Sequence, residues 1–244
     1  MEEMPKVIDV YSLAIATNVC NQELREVIKK PDYSIAHVTM DKGSVSLLHN
    51  HLAMTEIYFI INGDGVLYLE DKAIIIKAQD YIEINKGVGH KLKNGNGEKL
   101  EHLVIATPPF DPQDVHRLED RKSYNSKTLN REKERFAAFD GALVEELNTK
   151  EEREKLGIGF AYGILPPARN ARTHHHEISD EIYFIVKGNG TIKLNNEVSV
   201  IRKGSLIYIP KGTSHSLMNL YSKENLEALC ISYPPYQEND FIDD

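Results

Sequence analysis

Arg172-Thr173-His174-His175-His176-Glu177-Ile178-Ser179-Asp180-Glu181 places two histidines two residues apart with a carboxylate five residues further on, and His215 opens a later apolar segment. Residues i and i+2 of a strand share a face, about 6.6 Å apart along it. Two imidazoles so placed can reach one metal ion. A histidine run can equally be a polar surface patch, so the stretch alone leaves two readings open. The chain then repeats the arrangement: His49, His51, Glu56 and His90 precede His174, His176, Glu181 and His215 by 125 residues each (174 − 49 and 215 − 90 alike). Chance does not readily repeat four spacings.

Working outward, Glu181-Ile182-Tyr183-Phe184-Ile185-Val186 matches Glu56-Ile57-Tyr58-Phe59-Ile60-Ile61, and Gly188-Asn189-Gly190 matches Gly63-Asp64-Gly65. Thr107-Pro108-Pro109-Phe110 corresponds to Tyr233-Pro234-Pro235-Tyr236 at an offset of 126 (234 − 108), so a residue is gained near Leu220, in a loop that absorbs it. From Tyr33 the pattern is short alternating segments rich in Ile, Val, Leu and Tyr between glycine turns. It predicts antiparallel strands at 34–40, 44–51, 56–61, 66–70, 73–77, 81–84, 90–93 and 101–107. So many short strands suit a small barrel in each half.

Two helices are expected. Leu24, Val27 and Ile28 stand at i, i+3, i+4 before Pro31, which predicts a helix over 21–30. Thr149-Lys150-Glu151-Glu152 predicts a capped helix ending near Gly157. The polar stretch between reads as a linker. The expected organisation is an N-terminal barrel with its leading helix over 1–115, a linker and helix over 116–158, and a C-terminal barrel over 159–244.

A chain of 244 residues with 41% hydrophobic and 27% charged residues can bury a core in each half. Its net charge of -8 and scattered basic residues argue against a nucleic-acid partner. The acidic start and the lack of a long apolar run predict a cytoplasmic protein with no membrane partner. Cys20 and Cys230 do not read as a disulfide framework.

The two halves resemble the cupin superfamily, and together a bicupin. Gly43, His49, His51, Glu56 and Gly63 follow the first cupin motif, as do Ala168, His174, His176, Glu181 and Gly188 except that alanine replaces the leading glycine. Gly204, Pro210, Gly212, His215 and Asn219 follow the second motif; its first-half counterpart keeps Gly87, His90 and Asn94 but has Gln79 and Asn85 for glycine and proline. The resemblance implies an all-β fold with a few short helices, two tandem jelly-roll-like barrels, and a three-histidine, one-glutamate metal site inside each. The implied cofactor is one divalent first-row ion per barrel, which Fe, Mn, Zn, Ni or Co would satisfy.

Such an ion can polarise a carbonyl or hydroxyl or, as iron, support oxygen chemistry. Similarity to mannose-6-phosphate-isomerase-like cupins implies a metal-dependent enzyme on a small oxygenated metabolite: a sugar or keto-acid isomerase, or a dioxygenase. The alternative is a non-catalytic metal or small-ligand binding or sensing protein. On a regular strand Arg172 would face the same way as His174 and could recognise an anionic substrate bidentately, unless it pairs with an acidic neighbour at the rim. Its counterpart is Leu47, so the second barrel is the better candidate for an acidic substrate. Tyr58 and Tyr183, two residues after each ligand glutamate, should share its face and could act as acid or base. His37 and Tyr162 are weaker candidates on the preceding strand. Two barrels in one chain are compatible with a monomer or a homodimer.

Overall fold

Alternation of apolar and polar residues sends successive side chains to opposite faces, and the segments that carry it form antiparallel strands in two units. One unit is Ser12–Arg131; the other is Glu132–Asp244 joined by Met1–Tyr11. This computed structural model describes residues 3–18, 20, 22–95, 97–120, 123–130, 132–220 and 223–244.

In the first unit a five-stranded sheet runs in the order Glu23–Lys29, Ser34–Met40, Leu100–Thr107, Thr55–Asn62, Tyr81–Ile84. A six-stranded sheet runs His116–Arg117, His49–Asn50, His90–Asn94, Asp64–Leu69, Lys72–Lys77, Asn125–Lys127. Their inner faces meet in one core, with Val38, Ile60 and Leu100 from the first sheet against Leu67, Ile76 and Leu92 from the second. The second unit repeats this. Lys6–Asp9, Ser205–Ile209, Asp180–Lys187, Leu226–Tyr233, Gly159–Leu165, Leu143–Glu146 and Arg135–Ala137 form one sheet. Glu197–Arg202, Asn189–Leu194, His215–Asn219, His174–His175 and Ile242–Asp243 form the other, with Arg169–Asn170 also on His215–Asn219. Each unit is a barrel-like pair of facing sheets of the expected all-β type.

Three expectations need correction. The segment expected as a helix over 21–30 contains a strand, Glu23–Lys29, paired with Ser34–Met40; Asn21 lies outside the described residues. A register shift between Glu26 and Ile28 adds one residue to the alternation. That slip gives Leu24, Val27 and Ile28 the spacing of a helix face. Pro31, expected as a helix stop, sits in a turn closed by the Lys30 N–H donating to the Tyr33 carbonyl at 2.8 Å. The stretch 116–158 is also more than a linker. His116–Arg117 and Asn125–Lys127 complete a sheet of the first unit, while Arg135–Ala137 and Leu143–Glu146 extend one in the second. Finally, only His49–Asn50 of the expected strand 44–51 is a regular strand.

The other helix forms as read, over Lys150–Leu156. Thr149 and Glu152 exchange side-chain-to-backbone bonds in a capping box, and Gly157 ends it at φ 69°. No helix among the described residues is long and apolar enough to cross a membrane.

Candidate metal centres

Strand register brings each ligand set together. His49 stands directly opposite His90, and His174 opposite His215, on adjacent antiparallel strands. The following histidine of each pair, His51 or His176, lies at the end of its strand, and the glutamate enters from the opposite sheet on Thr55–Asn62 or Asp180–Lys187. The ligand atoms of each group lie within 4.8 Å of one another.

The backbone fixes which imidazole nitrogen faces inward. In the first site the Nδ1 atoms of His49, His51 and His90 bond the carbonyls of Leu47, Asp114 and Val88 at 2.9, 2.9 and 3.1 Å. In the second, those of His174, His176 and His215 bond Arg172, Asp240 and Thr213 at 2.9, 2.7 and 2.9 Å. A carbonyl can only accept, so Nδ1 carries the proton and Nε2 presents a lone pair. His51 Nε2, His90 Nε2, Glu56 Oε2 and His176 Nε2 are buried without a hydrogen-bond partner. His90 Nε2 and Glu56 Oε2 are 2.9 Å apart yet not aligned as a hydrogen bond. Buried polar atoms that converge without bonding fit a cation between them, and three neutral imidazoles with one carboxylate suit a divalent first-row ion.

Electrostatics agree at the first histidine of each set, whereas at His51 and His176 burial is outweighed by the adjacent glutamate, which raises both. Burial, then the neighbouring His90, lowers His49 to about 4; burial, then His215, lowers His174 to about 4. Both stay neutral near pH 7, as metal ligands must. Burial opposes ionisation of Glu56 and Glu181, but paired histidines overcome it and hold both carboxyls below the usual range.

Asp114 and Asp240, which the sequence reading missed, hold both sites from behind. Besides lending its main-chain carbonyl to His51, Asp114 receives the amides of Leu52, Ala53 and Met54 on its carboxylate. Asp240 does the same for Glu177, Ile178 and Ser179. They stand 126 apart (240 − 114), the offset already set by Pro108 and Pro234, which was the available signal.

The open faces differ. Leu47 N–H donates to the Cys20 carbonyl at 3.3 Å, and Arg172 N–H to the Asp140 carbonyl at 2.8 Å, so Cys20 and Asp140 occupy equivalent places. Cys20 Sγ lies 3.8 Å from His49 Nε2, and burial, then Glu56, pushes this thiol up to about 12. Burial raises the Asp140 carboxyl above its ordinary value, with Glu181 adding to the shift. The sequence reading missed Asp140 too, because the segment 20–24 maps onto 140–144 at an offset of 120 that the helix expectation concealed.

Both tyrosines share a face with their glutamates. The Tyr183 hydroxyl donates to Glu181 Oε2 at 2.8 Å and lies 3.3 Å from His215 Nε2. Burial, then the adjacent glutamate, raises Tyr58 and Tyr183 well above the ordinary phenol value, so each keeps its proton. Tyr58 packs against His102, ring centroids 5.1 Å apart. Tyr183 instead borders a cavity of about 480 Å³ that also touches His174, His176 and Glu181.

Arg172 does not enter the site. The chain before His174 is not a regular strand, so parity fails there. Its guanidinium is half exposed, pairs with Asp243, donates to the Phe139 carbonyl at 3.2 Å and lies over the Phe241 ring. Phe241 in turn stacks on His174 at 4.4 Å. His37 and Tyr162 hold equivalent buried glutamates, His37 Nε2 on Glu101 at 2.9 Å and the Tyr162 hydroxyl on Glu227 at 2.5 Å.

Two barrels, each with a buried three-histidine, one-glutamate metal site, define a tandem-barrel metalloprotein. The chain belongs to the Cupin domain family, which matches residues 36–106 and 161–232. It is 37% identical over 105 residues to an uncharacterized protein of Methanocaldococcus jannaschii, covering 43% of this chain and 83% of that one. It is 34% identical over 70 residues to an oxalate-binding protein of Thermotoga maritima, covering 29% and 58%. Among solved structures it resembles the oxalate decarboxylase formate complex of Lactobacillus farciminis, with a TM-score of 0.73, 16% identity, and 97% and 88% of the two chains covered. A Bacillus subtilis oxalate decarboxylase studied for its Mn(II) centres gives a TM-score of 0.69 at 13% identity over 95% and 77%. These structural likenesses establish the fold.

Proposed function

We propose that this bicupin is a metal-dependent enzyme whose second barrel acts on a small carboxylate-bearing, oxygenated metabolite. The observation that carries the reading is the pairing of a buried His174, His176, Glu181, His215 set with two protic groups, Asp140 and Tyr183, beside an open cavity. A divalent ion bound there supplies a Lewis acid that polarises a substrate carbonyl or carboxylate oxygen. Tyr183, held as a phenol, donates a hydrogen bond toward the oxygen where negative charge builds up. Asp140, raised by burial, holds its proton to higher pH than an ordinary aspartate, which suits it to exchange a proton with the substrate. The first barrel, closed by Cys20 and by Tyr58 on His102, serves as a structural metal site in this reading.

Decarboxylation is added to isomerisation and oxygenation as a candidate reaction, because the structural relatives are oxalate decarboxylases and Mn(II) occupies the centres of one. The test is to load the protein in turn with Mn(II), Fe(II), Co(II), Ni(II) and Zn(II) and follow CO2 release, oxygen uptake and isomer formation with oxalate and 2-oxo acids. Turnover that falls at least tenfold in Asp140→Asn and Tyr183→Phe, with metal content unchanged, is expected. Absence of turnover with every ion removes the enzymatic reading. A second reading, ligand binding without conversion, is favoured by the Thermotoga maritima oxalate-binding protein. It predicts a ligand-dependent rise in melting temperature and no product.

A further inference from the structure

Four neighbouring positions inside the barrels differ in one direction. In the first, Leu24, Val38, His102 and Ile60 form a continuous cross-strand row, with Leu24 opposite Val38, Val38 opposite His102, and His102 opposite Ile60. In the second, register places Val144 opposite Gly163, Gly163 opposite Ala228, and Ala228 opposite Ile185. Leucine becomes valine, valine becomes glycine, and histidine becomes alanine. In the next row Val104, opposite Tyr58, is replaced by Cys230, opposite Tyr183. Every exchange but the shared isoleucine removes volume.

The space so vacated is the cavity beside the second metal site. Val144, Gly163, Ala228 and Cys230 all line it, and so do His174, His176, Glu181 and Tyr183. In the first barrel the same region is filled: Val38 and His102 are fully buried, and Leu24 and Val104 pack against the core. Burial, then Glu181, keeps the Cys230 thiol protonated, so it behaves as a small apolar group. The cavity therefore has a chelating, protic end at Glu181 and Tyr183 and an apolar end at Val144, Leu165 and Ala228. Its 480 Å³ falls in the range of pockets that enclose drug-sized ligands, roughly 300–1,000 Å³. A two-carbon diacid at the ion would leave the apolar stretch of Val144, Leu165 and Ala228 uncovered, although the Arg153–Glu146 ion pair also lines this cavity.

We infer that the ligand of the second barrel is a carboxylic acid with a metal-chelating oxygen next to the carboxylate and an apolar tail of several carbons, seated in the gap that Gly163 and Ala228 open. This rests on the metal-site reading above and narrows its substrate class from small carboxylates to 2-oxo or 2-hydroxy acids with an apolar side chain. Ala228 and Gly163 are specificity-determining positions that do not touch the ion.

The experiment is calorimetric titration of the full-length Mn(II)-loaded protein with oxalate and with straight-chain 2-oxo acids from pyruvate to 2-oxohexanoate. Dissociation constants are expected to tighten roughly three- to fourfold per added methylene, the transfer of one CH2 into an apolar site. In Ala228→Leu this dependence on length disappears, while metal content stays that of the parent. Should the leucine variant lose metal, Ala228→Val reads the same slope with a smaller insertion. Affinity independent of chain length, with oxalate or pyruvate still bound, overturns the apolar-tail inference and leaves the metal-site reading intact. A length dependence unchanged in both variants overturns the assignment to this cavity. No binding of any acid removes both readings.

Discussion

Asp240 joins a ligand and a loop through one residue: its carbonyl accepts the His176 Nδ1 proton, while its carboxylate, almost fully buried, receives three successive amides. Removing that acceptor leaves three N–H groups without their partner and frees the loop that carries His176 toward Glu181. Asp240→Ala is expected to destabilise the second unit by about 2–4 kcal/mol and to weaken metal binding roughly 10–100-fold. Asp240→Asn should recover part of both, as measured by thermal unfolding and metal titration. The ligands were legible because a strand period and a 125-residue repeat act on the same eight residues. Asp240 was hidden because its contacts reach more than 60 residues back, and spacing within a motif carries no such information. Arg172 misled for a related reason, since parity holds only on regular strands. His102 is a different case, a histidine fully buried with neither ring nitrogen hydrogen-bonded. Burial, then His37, lowers it to about 3, below its unfolded value near 6.5. The unfolded chain therefore takes up a proton that the folded chain refuses, so stability is full above that unfolded value and falls as pH drops toward 3. Between pH 7 and 5 this costs about 2 kcal/mol. His102→Leu should remove that share from the metal-free protein, as read by urea unfolding at the two pH values.

Turns show how closely the two halves keep one backbone while their residues change. Gly43 and its counterpart Ala168 both have positive φ, 74° and 57°, and Gln79 and Gly204 likewise, at 71° and 85°. The departures from the glycine pattern therefore leave the backbone unaltered and place a side chain in the left-handed region. Such a residue costs about 1–2 kcal/mol, whereas glycine loses about 0.5–1 kcal/mol in conformational entropy. Ala168→Gly is thus expected to stabilise the second unit by about 0.5–1 kcal/mol, visible as a higher melting temperature with metal content unchanged. Gly63 and Gly188 permit no such exchange in reverse, because a Cβ would meet the Lys99 and Asn225 carbonyls at 2.9 and 2.3 Å. At this scale most strands were readable from alternation, and the helix at Lys150–Leu156 from its cap. Glu23–Lys29 was not, since the bulge at Val27 breaks the alternation that marks a strand and leaves an apolar spacing shared with helices. The short strands at Arg135–Ala137 and Leu143–Glu146 were also concealed, because strands of three or four residues, exposed in the one and mostly half-buried in the other, carry little periodicity.

For the molecule as a whole, a duplicated metal site with unlike surroundings implies two ions of unequal behaviour. Loaded protein should carry two ions per chain; His49→Ala and His174→Ala should each bring the count toward one, and the double variant toward none, by elemental analysis. Chelation should lower the melting temperature, because an ion that binds only the folded state stabilises it by mass action. The two ions should then separate by access. The first lies behind the Cys20 thiol and under Tyr58 and His102, with Val38 and His102 filling the space beyond. The second meets a cavity that reaches its ligands and borders Tyr183. A small carboxylate added to protein loaded with Mn(II) at both sites should therefore alter the electron paramagnetic resonance spectrum of one ion and leave the other unchanged. In His174→Ala, which keeps only the first ion, the same addition should change nothing; in His49→Ala it should change the whole signal. An equal response from both single-site variants would mean that the first barrel admits the ligand as freely as the second, and the division into a structural and a reactive site would then fail.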